Sequence, residues 1–221
     1  MGYRTVADYG IDEHIEKKSR FIGQAWPVRT EEEAKQILEA TRKEYWDASH
    51  NVYAYRIQSP GASSDILKFS DDGEPGGTAG KPCLDVLLGK DVTNVLVIVT
   101  RYFGGTLLGT GGLVRAYTKG AQIALAAAGK IRIESYQMCV LSMDYTYLAK
   151  MQYLIGKKPK DECSEMETVY EDQVTMHLLI REDQVTKIAE EITAVSEGKL
   201  SLKPGEKKKA ALVKGRLQII T

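Results

Sequence analysis

Five consecutive apolar residues, Val95 to Val99, run almost directly into Arg101-Tyr102-Phe103, and then into five glycines within nine residues: Gly104, Gly105, Gly109, Gly111 and Gly112. Nothing else in the chain constrains its fold as strongly. The apolar run, rich in β-branched residues, reads as a buried strand. The glycines supply backbone conformations that other residues resist. A helix follows from about Thr110, over 111–128. Leu113, Ala116, Tyr117, Gly120, Ala124 and Ala127 stripe one of its faces, Arg115 and Lys119 lie elsewhere, and Gly129 closes it. Such a loop leaves amide N–H groups uncovered at a helix N-terminus, where an anion is favoured. The pattern therefore suggests a site for phosphate, or for a phosphorylated partner such as RNA. The other reading is that the glycines serve only a tight turn and close helix–strand packing. Gly104 and Gly109 have P-loop spacing, but Thr110 stands where that motif needs Lys, which argues against a Walker-type NTPase.

The flanking sequence supplies the rest of one domain. A strand is predicted over 20–28. Thr30 then caps an acidic turn and forms a capping box with Glu33, opening a helix that reaches about Trp46. Strands are predicted at 52–57 and 66–69. Residues 70–82 are dense in turn formers and read as loop, followed by a short helix over 83–89. Past Glu134 the pattern changes to strand 136–143, helix 145–156, strands 163–170 and 173–180, helix 183–195, and strands near 200 and 210–220. This β-α-β-β-α-β order is the ferredoxin-like signature. The chain is thus expected to be α+β, with one domain over 1–134 and a second over 135–221.

Composition excludes several classes. The formal net charge is zero, so nucleic-acid binding requires a local patch rather than a global field. One candidate is the run Lys199, Lys203, Lys207, Lys208, Lys209, Lys214 and Arg216, which alternatively reads as a solvated turn. No apolar run suits a signal peptide or a membrane span. Three scattered cysteines fit reduced thiols, and the three histidines lack zinc-site spacing. A cytoplasmic protein is expected.

Four motifs, in order, resemble the YigZ/IMPACT family: Lys17-Lys18-Ser19-Arg20-Phe21-Ile22; His50-Asn51-Val52-Tyr53-Ala54-Tyr55-Arg56; Ser70-Asp71-Asp72-Gly73-Glu74-Pro75 with Thr78-Ala79-Gly80-Lys81-Pro82; and Arg101-Tyr102-Phe103-Gly104-Gly105. Gly76 stands where that family is expected to have Ser. The resemblance implies an N-terminal domain like domain two of ribosomal protein S-five, as in domain IV of elongation factor G. It also implies a ferredoxin-like C-terminal domain like domain V of that factor. Both comparison domains act on the ribosome. Eukaryotic relatives carry a further N-terminal module for kinase control, which is not expected here.

These readings yield two functional expectations. The first is a translation-associated regulatory protein that binds RNA or the ribosome without catalysis or a cofactor. Its contact surface would comprise Arg20, Lys81, Arg101, Tyr102, Phe103, Gly104, Gly105, Gly109, Gly111, Gly112 and Arg115. The arginines would add charge-assisted hydrogen bonds and the aromatics would stack on bases. The alternative is an enzyme acting on a phosphorylated or nucleotide substrate. There Asp71, Asp72 and Glu74 would hold Mg²⁺, and His50, with its near-neutral intrinsic pKa, would be a general acid or base. The bland reading of the acidic loop is a turn whose carboxylates accept backbone N–H groups.

Overall fold

The structure is a computed structural model describing residues 2–58 and 64–220. The chain divides into two compact units, Tyr3–Ile131 and a second that runs from Arg132 to the C-terminus.

In the N-terminal unit the elements are β1 (Tyr3–Val6), β2 (Gly10–Glu16), β3 (Ser19–Pro27), α1 (Glu31–Glu44), β4 (His50–Ile57), β5 (Ile66–Ser70), α2 (Gly80–Gly89), β6 (Val95–Tyr102) and α3 (Thr110–Ala128). An antiparallel sheet of order β2-β3-β6-β4-β5 is its centre. Helices α2 and α3 cover one face, burying Phe21, Ala25, Val52, Ala54, Val97 and Val99 against Leu87, Leu113, Tyr117 and Ala124. Helix α1 covers part of the other, burying Tyr55, Ile57, Leu96 and Ile98 against Ala34 and Leu38. The central β6 is therefore covered on both sides. That is why its sequence is a continuous apolar run instead of the alternation of a half-exposed strand. Helix α3 crosses β3 very closely: a Cβ on Gly23 would lie 2.2 Å from the Gly120 carbonyl oxygen.

Three departures from the sequence reading have local causes. Strands β1 and β2 were not foreseen: β2 is an edge strand that leaves Ile11 and Ile15 exposed, so its pattern is mostly polar. Helix α2 begins at Gly80, inside the predicted loop. The Ala79 and Gly80 N–H groups donate to the Asp71 carboxylate at 3.0 and 2.8 Å, so the helix is capped by a residue eight positions upstream of its cap position. At α1, Thr30 Oγ accepts the Glu33 N–H at 3.1 Å as predicted, but the Glu33 carboxylate reaches the Arg29 N–H rather than that of Thr30.

The second unit follows β7 (Lys130–Met143), α4 (Tyr145–Gly156), β8 (Cys163–Tyr170), β9 (Val174–Arg181), α5 (Val185–Val195), β10 (Lys203–Val213) and β11 (Arg216–Ile219). Strand β7 starts six residues before the predicted 136. A short 3-10 turn at Glu182–Gln184 precedes α5. The sheet order β11-β10-β7-β9-β8 is the ferredoxin-like arrangement with an added hairpin strand. Leu141, Met176, Leu178 and Ile180 pack against Met151, Ile155, Ile188 and Ile192 of the helices.

Each unit holds its cysteines in its core. Cys83 and Cys139 are fully buried and Cys163 nearly so. Burial raises all three thiols, Cys139 to about 11 and Cys163 to about 12. The reactive thiolate is therefore suppressed at neutral pH. Ellman's reagent at pH 8 is expected to leave all three unmodified in native protein and to label them only on unfolding. Peptide mass spectrometry along a urea series then reports the N-terminal unit through Cys83 and the C-terminal unit through Cys139 and Cys163. Rapid labelling of Cys83 in buffer would contradict the packing described.

Candidate nucleic-acid interface at one pole of the N-terminal sheet

Register collects the candidate residues at one end of the N-terminal sheet. Arg20 of β3 pairs with Tyr102 of β6, and Phe21 and His50 flank Arg101 from the two neighbouring strands. The β2–β3 turn, the chain between α1 and β4, the acidic loop and the glycine loop all open at this end.

Successive strand residues face opposite sides, and this alternation splits the predicted contact set. Arg101 points to the α3 side and is only 5% exposed. One guanidinium NH donates to Glu74 Oε1 at 2.6 Å and another to Ser19 Oγ at 3.2 Å, while the rings of Phe21 and Phe103 lie 5.4 Å from the guanidinium carbon. The Tyr117 hydroxyl donates to the same Glu74 oxygen at 2.7 Å. Burial, then that carboxylate, raises the Tyr117 hydroxyl far above its ordinary pKa, so it stays a donor. His50 Nδ1 lies 2.8 Å from the Asp72 carbonyl oxygen and acts as donor there, leaving Nε2 facing Glu74 at 3.7 Å. Arg101 is thus part of a buried ion pair. It is not a surface grip for phosphate, as its sequence position suggested.

The acidic loop does not converge on a metal. Asp71 accepts N–H groups from Gly77, Ala79 and Gly80. Asp72 accepts the Asn51 N–H at 2.7 Å and pairs with Arg42 at 2.7 Å. Glu74 is buried in the cluster just described. Among the described residues no group of three His, Cys, Asp or Glu side chains is placed to hold a metal ion. Each of the three carboxylates is instead engaged locally, Asp71 by backbone N–H groups, Asp72 by Asn51 and Arg42, and Glu74 by Arg101 and Tyr117. Lys81 is displaced from the set as well: it pairs with Asp85 one helical turn along α2.

On the α1 side, Arg20 pairs with Glu13 at 2.6 Å. The Tyr102 hydroxyl donates to Asp47 at 2.8 Å, and the Phe103 N–H donates to Ser49 Oγ at 3.0 Å. Phe103 remains 47% exposed.

The glycine loop is held against the β2–β3 turn. A Cβ on Gly104 would fall 2.1 Å from the Lys18 carbonyl, so only glycine permits this approach. Gly109, at φ +71°, is the cap position of α3, and no side chain caps the helix. The Arg115 guanidinium lies back along the first turn, 3.6 Å from where a Gly111 Cβ would sit. Gly105 and Gly112 complete the loop and the turn. Lys17 and Lys18 form the two-residue β2–β3 turn with φ of 45° and 70°. Both are exposed and, like Arg115, have no ion-pair partner among the described residues. Sequence reasoning quoted this Lys pair but did not place it in the site. The signal available was a two-residue turn between alternating segments; its apposition to Gly104 is a tertiary fact.

The basic run of the second unit is a strand and a hairpin rather than a solvated turn. Lys207 pairs with Glu182, Lys208 with Glu206 at 2.7 Å, and Lys209 donates to Ser135.

These features define a two-domain α+β protein whose first unit presents an uncapped helix N-terminus within a cationic rim. Residues 17–125 match the Impact N-terminal domain, and residues 141–199 match a domain of unknown function, DUF1949. The chain is 36% identical to IMPACT family member YvyE of Bacillus subtilis (strain 168), covering 92% of this chain and 91% of that protein. It is 36% identical to IMPACT family member YigZ of Escherichia coli (strain K12), covering 84% and 89%. A crystal structure described as a hypothetical protein shares 34% identity and a TM-score of 0.56 over 93% of this chain and 98% of its own. The chain belongs to the IMPACT family. No helix among the described residues is long and apolar enough to cross a membrane.

Proposed function

We propose that this protein is a translation-associated regulator whose N-terminal unit contacts RNA, free or on the ribosome, through the glycine-loop pole. The observation that carries this reading is the uncapped N-terminus of α3 rimmed by three cations without acidic partners, Lys17, Lys18 and Arg115. Partial positive charge at a helix start and unpaired ammonium or guanidinium groups are a phosphate-binding combination. Family membership and the resemblance of both units to ribosome-contacting domains supply the translational context; fold likeness alone would be a weak warrant. The Arg101–Glu74–Tyr117–His50 cluster holds the pole in shape from behind. The local engagement of Asp71, Asp72 and Glu74 favours this reading over the enzyme alternative, and catalysis forms no part of it.

The test is a salt titration of fluorescent RNA binding. Each neutralised phosphate contributes about −0.7 to the log–log slope for a single strand. Lys18→Ala and Arg115→Ala are each expected to weaken binding and flatten the slope by about one contact. Absence of binding at low salt, or variants indistinguishable from the parent, would defeat the proposal.

A further inference from the structure

The chain between α1 and β4 brings a second chemistry to the same pole. Trp46 is 81% exposed, an unusual position for the largest apolar side chain. It sits beside Asp47, which accepts the Tyr102 hydroxyl, while Ser49 accepts the Phe103 N–H. The Trp46 segment is therefore tied to the end of β6 from which the glycine loop departs. Phe103 adds a half-exposed ring, and Arg20, across the sheet from Tyr102, adds a guanidinium. Of the acids at this edge, Glu13 is paired with Arg20, and Asp47, which keeps its charge, is turned toward the Tyr102 hydroxyl that donates to it. Exposed aromatic rings and unpaired cations gathered at one pole are what single-stranded nucleic acid uses, because each base offers a π-face and each linkage a phosphate. A duplex hides its base faces in the stack and would gain nothing from these rings.

We infer that the RNA taken at this pole is single-stranded, with an unstacked base lying on Trp46 and a second aromatic contact at Phe103, while Lys17, Lys18, Arg115 and the start of α3 meet the phosphates. This rests on the RNA reading above and names the class of RNA.

The chain contains two tryptophans, and the other, Trp26, packs against Tyr9 at 5.0 Å between ring centroids. Trp26 is partly buried and Trp46 is the more accessible fluorophore. The full-length protein is titrated with a uridine 12-mer and, separately, with a 12-base-pair RNA duplex, following intrinsic fluorescence and the anisotropy of labelled RNA. The 12-mer is expected to quench emission and to bind more tightly than the duplex. Trp46→Leu, exposed and so without consequence for folding, should abolish the quench and weaken 12-mer binding about tenfold, leaving duplex binding and the salt slope unchanged. Phe103→Leu gives a second, smaller loss. If duplex and 12-mer bind equally and Trp46→Leu alters neither, stacking is refuted while the phosphate reading survives. If neither RNA binds at low salt, both fall, and the aromatic patch is left for a protein partner.

Discussion

Glu74→Ala is expected to destabilise the N-terminal unit by about 3–5 kcal/mol, enough to unfold a domain of ordinary stability at moderate temperature. The side chains of Arg101 and Glu74 are 6% and 4% exposed and 2.6 Å apart. Removing the carboxylate leaves a guanidinium out of water with only Ser19 and two aromatic rings as company, and strands the Tyr117 hydroxyl. An uncompensated buried charge costs far more than a lost surface pair. Arg101→Ala should be comparably severe, so it reports on stability and is unsuitable as a probe of RNA contact. The double variant Glu74→Leu with Arg101→Met should recover much of the loss, because it removes both charges and refills the space. Urea denaturation followed by circular dichroism measures all three. A single-variant loss under about 1 kcal/mol would show that the pair is solvated, contrary to its burial.

Gly23→Ala is the second large effect. The added methyl would lie 2.2 Å from the Gly120 carbonyl oxygen, which belongs to the α3 backbone and cannot swing aside like a side-chain tip. The helix must lift off β3, separating contacts such as the edge-to-face pair of Phe21 and Tyr117. The expected cost exceeds the usual overpacking range of about 1–3 kcal/mol, since backbone must move. Gly120→Ala meets Val99 side-chain atoms at 2.8 Å, and a rotamer change relieves part of that, so it should cost less. Thermal unfolding by calorimetry ranks the two. Equal effects, or a neutral Gly23→Ala, would mean that α3 is free to shift away from the sheet.

The sequence by itself determined the strand–glycine-loop–helix unit, the Thr30 cap and the ferredoxin-like order, because each rests on local chemistry: apolar periodicity, a cap three residues from its partner, glycine where the backbone turns; the family was legible only through the resemblance of four motifs. It also showed that the chain as a whole carries no net charge. Only the tertiary structure decided which way each polar side chain faces and what it meets. Arg101 and Tyr102 are neighbours in sequence on opposite sheet faces, one buried and one at the α1 edge. Asp71 reads either as a metal ligand or as a turn carboxylate until α2 is seen to start on it, and nothing in the sequence shows that Arg101 and Tyr117 close on Glu74. The Lys17–Lys18 turn and Trp46 join the glycine loop through strand register, far along the chain from it. Alternation along a strand is legible in a sequence, but the register between strands and the packing of helices on a sheet come from many weak contacts between distant residues. Those contacts, rather than any motif, assembled the pole.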